Sequence, residues 1–219
     1  IELIPFNDNC PILAMTISKN EEYLFVGNSI GNVLVYKINN DISKWVKFKL
    51  ISDQISSISH LSCNTELNLW TSTSIDGYIN IYTLPLCKLV RSISISSTNC
   101  SYSFLCDSPL PSVVIVSDDS NNSEIFVYSI NGKLITKKQE YFHLTMPLIM
   151  KDNNSNDYFG YIGVDEILTF DVHDPNVQNA IPLTSFENMY PTYDIVKALI
   201  LNEKSLSLDK EKLLVISPD

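Results

Sequence analysis

One phrase recurs along this chain of 219 residues and constrains its fold more than any other feature. It is a turn, then a short strand, then an aromatic. It reads Gly31-Asn-Val-Leu-Val-Tyr36, Gly77-Tyr-Ile-Asn-Ile-Tyr82 and Ser123-Glu-Ile-Phe-Val-Tyr128, with a weaker copy in Asp165-Glu-Ile-Leu-Thr-Phe170. The aromatics fall at 36, 82, 128 and 170, in steps of 46, 46 and 42. Those steps lie close to the roughly 40–45 residues of one four-stranded propeller blade. A repeat of this kind shifts the expectation for function from chemistry toward binding, because propellers usually present a surface.

The rest of the chain fits that period. Pro11–Ser18 is an apolar run suited to an inner strand, Tyr23–Gly27 and Asn32–Ile38 follow, and Trp45–Ile51 alternates as an exposed outer strand should. The same order repeats, so blades are expected at about 11–51, 55–95, 100–138 and 146–183, with a partial blade at 195–219. Residues 1–6 read as the outer strand of a preceding blade. The chain is therefore read as one all-β, WD40-like propeller domain of four-stranded antiparallel blades. Four units and two fragments fall short of the commonest ring of about seven blades, which needs roughly 300 residues. Part of a larger, divergent ring is the leading expectation, and a closed ring of four or five blades is the alternative. Opening on Ile1 without a Met reads as a piece of a longer chain.

Composition excludes some partners. A net charge of −10 argues against direct contact with nucleic acid, which calls for a basic stripe. The local exceptions, Trp45-Val-Lys47-Phe-Lys49 and Lys133 to Lys138, read as solvent faces of outer strands. Five Cys, an odd number without a Cys-x-x-Cys, fit buried thiols in a reducing compartment better than a disulfide framework or a zinc site. No secretory leader and no apolar run of about 18 residues is present, so a cytoplasmic location is expected.

Two stretches go beyond a generic repeat. Residues 74–93, Ser-Ile-Asp-Gly-Tyr-Ile-Asn-Ile-Tyr-Thr-Leu-Pro-Leu-Cys-Lys-Leu-Val-Arg-Ser-Ile, resemble a blade of the C-terminal WD40 propeller of BEACH-domain proteins, the neurobeachin and beige group. Residues 125–135, Ile-Phe-Val-Tyr-Ser-Ile-Asn-Gly-Lys-Leu-Ile, look like the next blade at the right spacing, and the resemblance is clearest over about 55–135. It implies a large cytosolic scaffold peripheral to membranes, working through protein partners in vesicle traffic. Membrane association would be indirect, through the parent protein, and a BEACH domain would precede this segment. The chain departs from the WD40 pattern at informative places. Tyr36, Tyr82, Tyr128 and Phe170 stand where Trp-Asp is usual, and only the second unit keeps a clear turn Asp, Asp76 beside Gly77. The usual Asp–His–Ser–Trp hydrogen-bond set is therefore expected to be incomplete in every blade, with the Tyr hydroxyls needing partners of their own.

Residues that could carry chemistry are few. His60, His143 and His173 are not at metal-pair spacing, and no phosphate loop or nucleophile elbow occurs. Asp152-x-Asn154-x-Asn156 begins like a calcium loop but has Gly163 where the twelfth-position carboxylate belongs. Cys100 and Cys106 bracket one strand at even spacing, so both are expected on one face as core thiols. We expect no catalytic residues, no cofactor and no metal. The repeat residues Tyr36, Asp76, Gly77, Tyr82, Tyr128 and Phe170 are expected to be structural. The one candidate partner-binding loop is Phe186 to Tyr193, with Phe186, Tyr190 and Tyr193 as its aromatics. A WD40 subunit of a ubiquitin-ligase receptor or RNA-processing complex is the second reading, and a propeller hydrolase the third.

Overall fold

The computed structural model describes residues 10–39, 44–96, 99–118, 122–140, 145–151, 157–162, 166–172, 174, 178–182, 197–200 and 213–216. The expected strand at 1–6, the loop bearing Phe186, Tyr190 and Tyr193, the Asp152–Asn156 stretch, His143 and His173 lie outside these residues.

Four antiparallel four-stranded sheets follow one another, each ordered as the chain runs. The first holds β1 (Ile12–Ile17), β2 (Tyr23–Asn28), β3 (Val33–Asn39) and β4 (Lys44–Ile51). The second holds β5 (Ile58–Asn64), β6 (Leu69–Ser74), β7 (Tyr78–Thr83) and β8 (Leu89–Ser94). The third holds β9 (Cys100–Cys106), β10 (Ser112–Asp118), β11 (Ser123–Ser129) and β12 (Leu134–Glu140). The fourth holds β13 (Thr145–Lys151), β14 (Asp157–Ile162), β15 (Glu166–Asp171) and β16 (Gln178–Pro182). A two-stranded sheet, β17 (Lys197–Ile200) with β18 (Leu213–Ile216), comes last. This is the propeller-type architecture that the repeat implied, and among the described residues the blades form an arc that does not close.

The sheets stack because their middle strands bury both faces, largely in apolar side chains. In β7, Ile79 and Ile81 turn toward the third sheet, where they pack with Ile93, Cys100, Leu105, Val113, Ile115 and Phe126. Tyr82 turns the other way, into a cluster with Phe25, Val33, Val35, Ile58, Leu61 and Trp70. A third cluster joins Val114, Val116, Ile125 and Val127 to Phe159, Tyr161, Phe170 and Val172 of the fourth sheet. The terminal aromatic of the repeat thus faces the preceding sheet each time: Tyr82 the first, Tyr128 the second, Phe170 the third. Tyr36 is the equivalent on the first sheet, buried beside Val26, Leu34 and Trp45. Between sheets the innermost strands carry much of the packing, β1 against β5, β5 against β9 and β9 against β13.

Glycine is favoured where a turn takes a positive φ. Gly31 and Gly77 both sit at φ +88°, where a side chain is strained. At Gly31 an added Cβ would also lie 2.2 Å from the Gln54 carbonyl oxygen, because the approach to the second sheet runs over this turn.

The strand expected to begin at Ile55 begins instead at Ile58, with Ile55 pointing into solvent and Gln54 buried. The expectation that Cys100 and Cys106 share a face is also corrected. Both thiols are buried, but Cys100 packs against the second sheet and Cys106 against the fourth. The cause is a β-bulge. Val116 pairs with Tyr102 and Ser117 with Cys100, which leaves Ser101 as an extra residue and reverses the alternation.

Candidate functional site

The chemistry-bearing side chains gather along the seams between sheets, and the first group is built around the tight turn after β6. Ser74 donates its hydroxyl to the Asp76 carboxylate, and the turn closes through Gly77 N–H to the Ser74 carbonyl at 3.1 Å. Gln54, from the segment before β5, lies over this turn. Its amide nitrogen donates to Ser74 Oγ at 3.2 Å and to the Tyr78 carbonyl at 2.9 Å, and its amide oxygen accepts from Ser72 Oγ at 2.7 Å. Gln54 therefore does the bridging work that a His performs in the usual WD40 set. The sequence carried a signal for it, a polar residue just before an inner strand, but an amide is not the residue type that the pattern leads one to look for.

The Tyr82 hydroxyl finds its partner on its own strand. Asn80 Nδ2 donates to it at 3.1 Å, and Ser92 Oγ of β8 donates to Asn80 Oδ1 at 2.7 Å. Burial, the dominant cause, pushes the Tyr82 phenol up to about 12, so it stays protonated. Its ring stacks on Trp70 at 4.3 Å and 16°, and Trp70 lies 4.7 Å from Phe25. The first and third sheets use lighter versions of the turn. Asn28 Oδ1 accepts from the Ile30 and Asn32 N–H groups, and Ser123 donates to Asp118. Asp118 is thus a second turn carboxylate in use, where the sequence alone marks only Asp76 as one.

Truncating Gln54 tests how much the bridge carries. Gln54→Leu keeps most of the volume and takes the amide oxygen from the Ser72 hydroxyl, while the Tyr78 carbonyl keeps the Ser74 hydroxyl, so unfolding free energy should fall by about 1–2 kcal/mol in urea titration. A change below about 0.5 kcal/mol would show that the bridge contributes nothing.

The second group lies between β5, β6 and β9. Ser59 Oγ donates to the Cys100 carbonyl at 2.7 Å, and the hydroxyls of Thr71 and Thr73 converge on Ser103 Oγ. His60 Nδ1 lies 2.9 Å from the Ser103 carbonyl oxygen, and its ring centroid is 5.3 Å from that of Tyr102 and 5.0 Å from that of Phe104. Burial lowers the imidazole to about 4, more than the backbone bond to Ser103 raises it. His60 is therefore neutral at physiological pH. Cys63, its neighbour in sequence, is pushed up to about 12 by burial first and by Cys87 second. Burial also raises Cys100 and Cys87, the latter against the opposing pull of Lys49 and the Trp70 indole. These thiols are poor nucleophiles as they stand. On the third seam, Asp157 Oδ2 accepts from the N–H groups of Asp107 at 2.7 Å and Ser108 at 3.0 Å.

The repeat residues Tyr82, Tyr128 and Phe170 therefore occupy equivalent positions between sheets, Tyr36 holds the matching place among strands of its own sheet, and Asp76 and Gly77 form a turn. Among the described residues no group of three or more His, Cys, Asp or Glu is placed to hold a metal ion. No helix among them is long and apolar enough to cross a membrane.

No protein-family model matches the chain, and no curated protein matches its sequence. Solved structures do match its fold. The hydrazine synthase of Kuenenia stuttgartiensis aligns over 78% of this chain and 54% of its own, with a TM-score of 0.60 and 12% identity. The structure of U3-55K aligns over 80% of this chain and 53% of its own, with a TM-score of 0.59 and 8% identity. Both are propeller-type structures, and the chain spans about half the length of each. At such identity the likeness shows the fold alone.

Proposed function

We propose that this segment is a non-catalytic protein-interaction scaffold, and that it forms the WD40 region of a BEACH-type protein in membrane traffic. The observation that supports the scaffold reading is where the reactive groups are spent. His60 is neutral and packed against two aromatic rings, the Cys63, Cys87 and Cys100 thiols are held protonated, and the Ser and Thr hydroxyls of the seams bond one another and the backbone. Such groups hold blades together and leave the outer surface to make contacts. The family name rests on residues 74–93 and 125–135, which resemble two successive blades of the neurobeachin and beige group.

Two measurements test this. The reading frame upstream of these residues should encode a BEACH domain, and its absence removes the family assignment while leaving the scaffold. Proximity labelling in cells with the full-length protein should then retain proteins of vesicle and organelle traffic. A retained set of ubiquitin-ligase or RNA-processing subunits supports the second reading instead, and the lack of any retained protein removes the scaffold reading.

A further inference from the structure

The outer strands of the first three sheets share a feature that strand pairing alone does not require, although Phe48 of the first also meets the Tyr23 ring edge-on. Each carries one β-bulge at the same place, just before the terminal aromatic of its partner strand. Val35 pairs with Lys49 and Tyr36 with Lys47, leaving Phe48 unpaired. Ile81 pairs with Arg91 and Tyr82 with Leu89, leaving Val90 unpaired. Val127 pairs with Thr136 and Tyr128 with Leu134, leaving Ile135 unpaired. The extra residue is large and apolar each time and stands 46%, 46% and 40% exposed. A bulge protects a sheet edge from adding a strand, and so does a lysine. Neither purpose is served by placing Phe, Val and Ile at the one residue that the ladder leaves out.

Charge follows the same strands. Lys44, Lys47, Lys49, Lys88, Arg91, Lys133, Lys137 and Lys138 lie on or directly before β4, β8 and β12, with Glu140 as the only carboxylate among them. That leaves 7 of the 15 Lys and Arg and 24 of the 25 Asp and Glu for the rest of the chain. The basic strands are also joined end to end. Lys49 Nζ crosses to the second sheet and donates to the carbonyls of Leu86 at 3.1 Å and Cys87 at 2.8 Å, beside Lys88. Arg91, its counterpart in register, lies along Gly132 of the third sheet, beside Lys133; a Cβ added there would sit 3.5 Å from Arg91 Cδ. Lys137 and Lys138 are paired with Glu124 and Glu140. Lys47, Lys88, Arg91 and Lys133 are exposed and make no ion pair among the described residues.

We infer that this basic band, studded with Phe48, Val90 and Ile135 and flanked by Leu86, Leu89 and Leu134, is a docking surface for an extended acidic segment of a partner protein that carries apolar residues among its carboxylates. This inference rests on the scaffold reading above and names the face that reading leaves open. Charge complementarity selects the partner's sign, since the band is the cationic region of a strongly acidic chain. The fold selects its shape. The blades pack through their inner strands, so the outer strands form the rim of an arc, which a flexible segment can follow and a flat bilayer touches only in part. The bulges prevent simple strand addition, so side chains rather than a continuous backbone ladder make the contact.

The test uses the 219-residue chain and a fluorescein-labelled synthetic peptide of mixed Asp, Glu, Leu and Phe, read by fluorescence anisotropy. Binding should weaken as salt rises, and a version with Lys in place of the acids should not bind. The combined change Lys47→Glu, Lys88→Glu, Arg91→Glu and Lys133→Glu should weaken binding by about tenfold or more, with the melting profile unchanged. Phe48→Ser, Val90→Ser and Ile135→Ser together should also weaken it, with the salt dependence kept. If the charge-reversed chain does not fold, the salt dependence of the wild type and the apolar variant decide. Equal binding by wild type and rim variants overturns the inference. So does binding to phosphatidylserine vesicles in sedimentation that displaces the peptide. In cells, a charge-reversed full-length protein that keeps every partner overturns the rim and leaves the scaffold standing; a wild type that retains none removes the scaffold itself.

Discussion

Trp70→Ala should cost this fold about 3–5 kcal/mol, the largest loss expected from any single truncation discussed for these blades. Trp70 is fully buried on β6, between Tyr82 of its own sheet and Phe25 of the sheet before it. The three rings form one continuous stack across the first seam, and Val33, Val35, Ile58 and Leu61 close around it. Removing the indole leaves a cavity that two rigid neighbouring sheets cannot both move to fill. Trp70→Phe should be far milder, at about 1–2 kcal/mol. The indole N–H has no oxygen or nitrogen partner and lies against the Cys87 sulfur, so phenylalanine gives up volume without stranding a hydrogen bond. Guanidinium or urea titration of both variants reads this directly. Equal losses for Ala and Phe would mean that the N–H, not the ring, matters here.

The stack also shows what could and could not be read from the residues alone. The period of Tyr36, Tyr82, Tyr128 and Phe170 made the blade legible, because an aromatic at a fixed place in each repeat marks a fixed place in each interface. Trp70 and Phe25 carry no such mark. They sit on second strands of unlike sequence, Tyr-Leu-Phe-Val-Gly-Asn and Leu-Trp-Thr-Ser-Thr-Ser, and only the stacking of sheets brings them together. Gln54 was only half legible: a polar residue before an inner strand is visible in the sequence, but its bridging role depends on the chain approaching the second sheet over Gly31, a feature of three dimensions. The Cys100–Cys106 expectation failed through one bulge, since a period-two argument reverses whenever a single residue is inserted. The same kind of insertion, at Phe48, Val90 and Ile135, is what turned an apparently plain basic outer strand into a candidate surface. The alternating lysines were visible in the sequence, but the apolar residue left out of the ladder between them appears only in the pairing register.

Between pH 6.5 and 4, this protein should lose stability through His60, by at most about 3 kcal/mol. The direction follows from proton binding. An unfolded His has a pKa of about 6.5, whereas burial holds His60 at about 4 in the fold. In that window the unfolded chain takes up a proton that the native state does not, so acid favours unfolding. The contribution is complete above about pH 6.5 and disappears progressively as pH falls toward 4. The structure explains why charging is disfavoured. The ring packs against Tyr102 and Phe104, and its hydrogen bond is to the Ser103 backbone, which competes weakly with the loss of water. Carboxylates titrate in the same range, so the readout is a difference. His60→Gln keeps a donor for the Ser103 carbonyl and removes the titration, and its urea midpoint should fall less steeply over this window than that of the wild type. Parallel pH profiles for the two proteins would show that His60 is protonated in the fold as easily as in water. That would place it on an open surface and reopen it as an acid–base group.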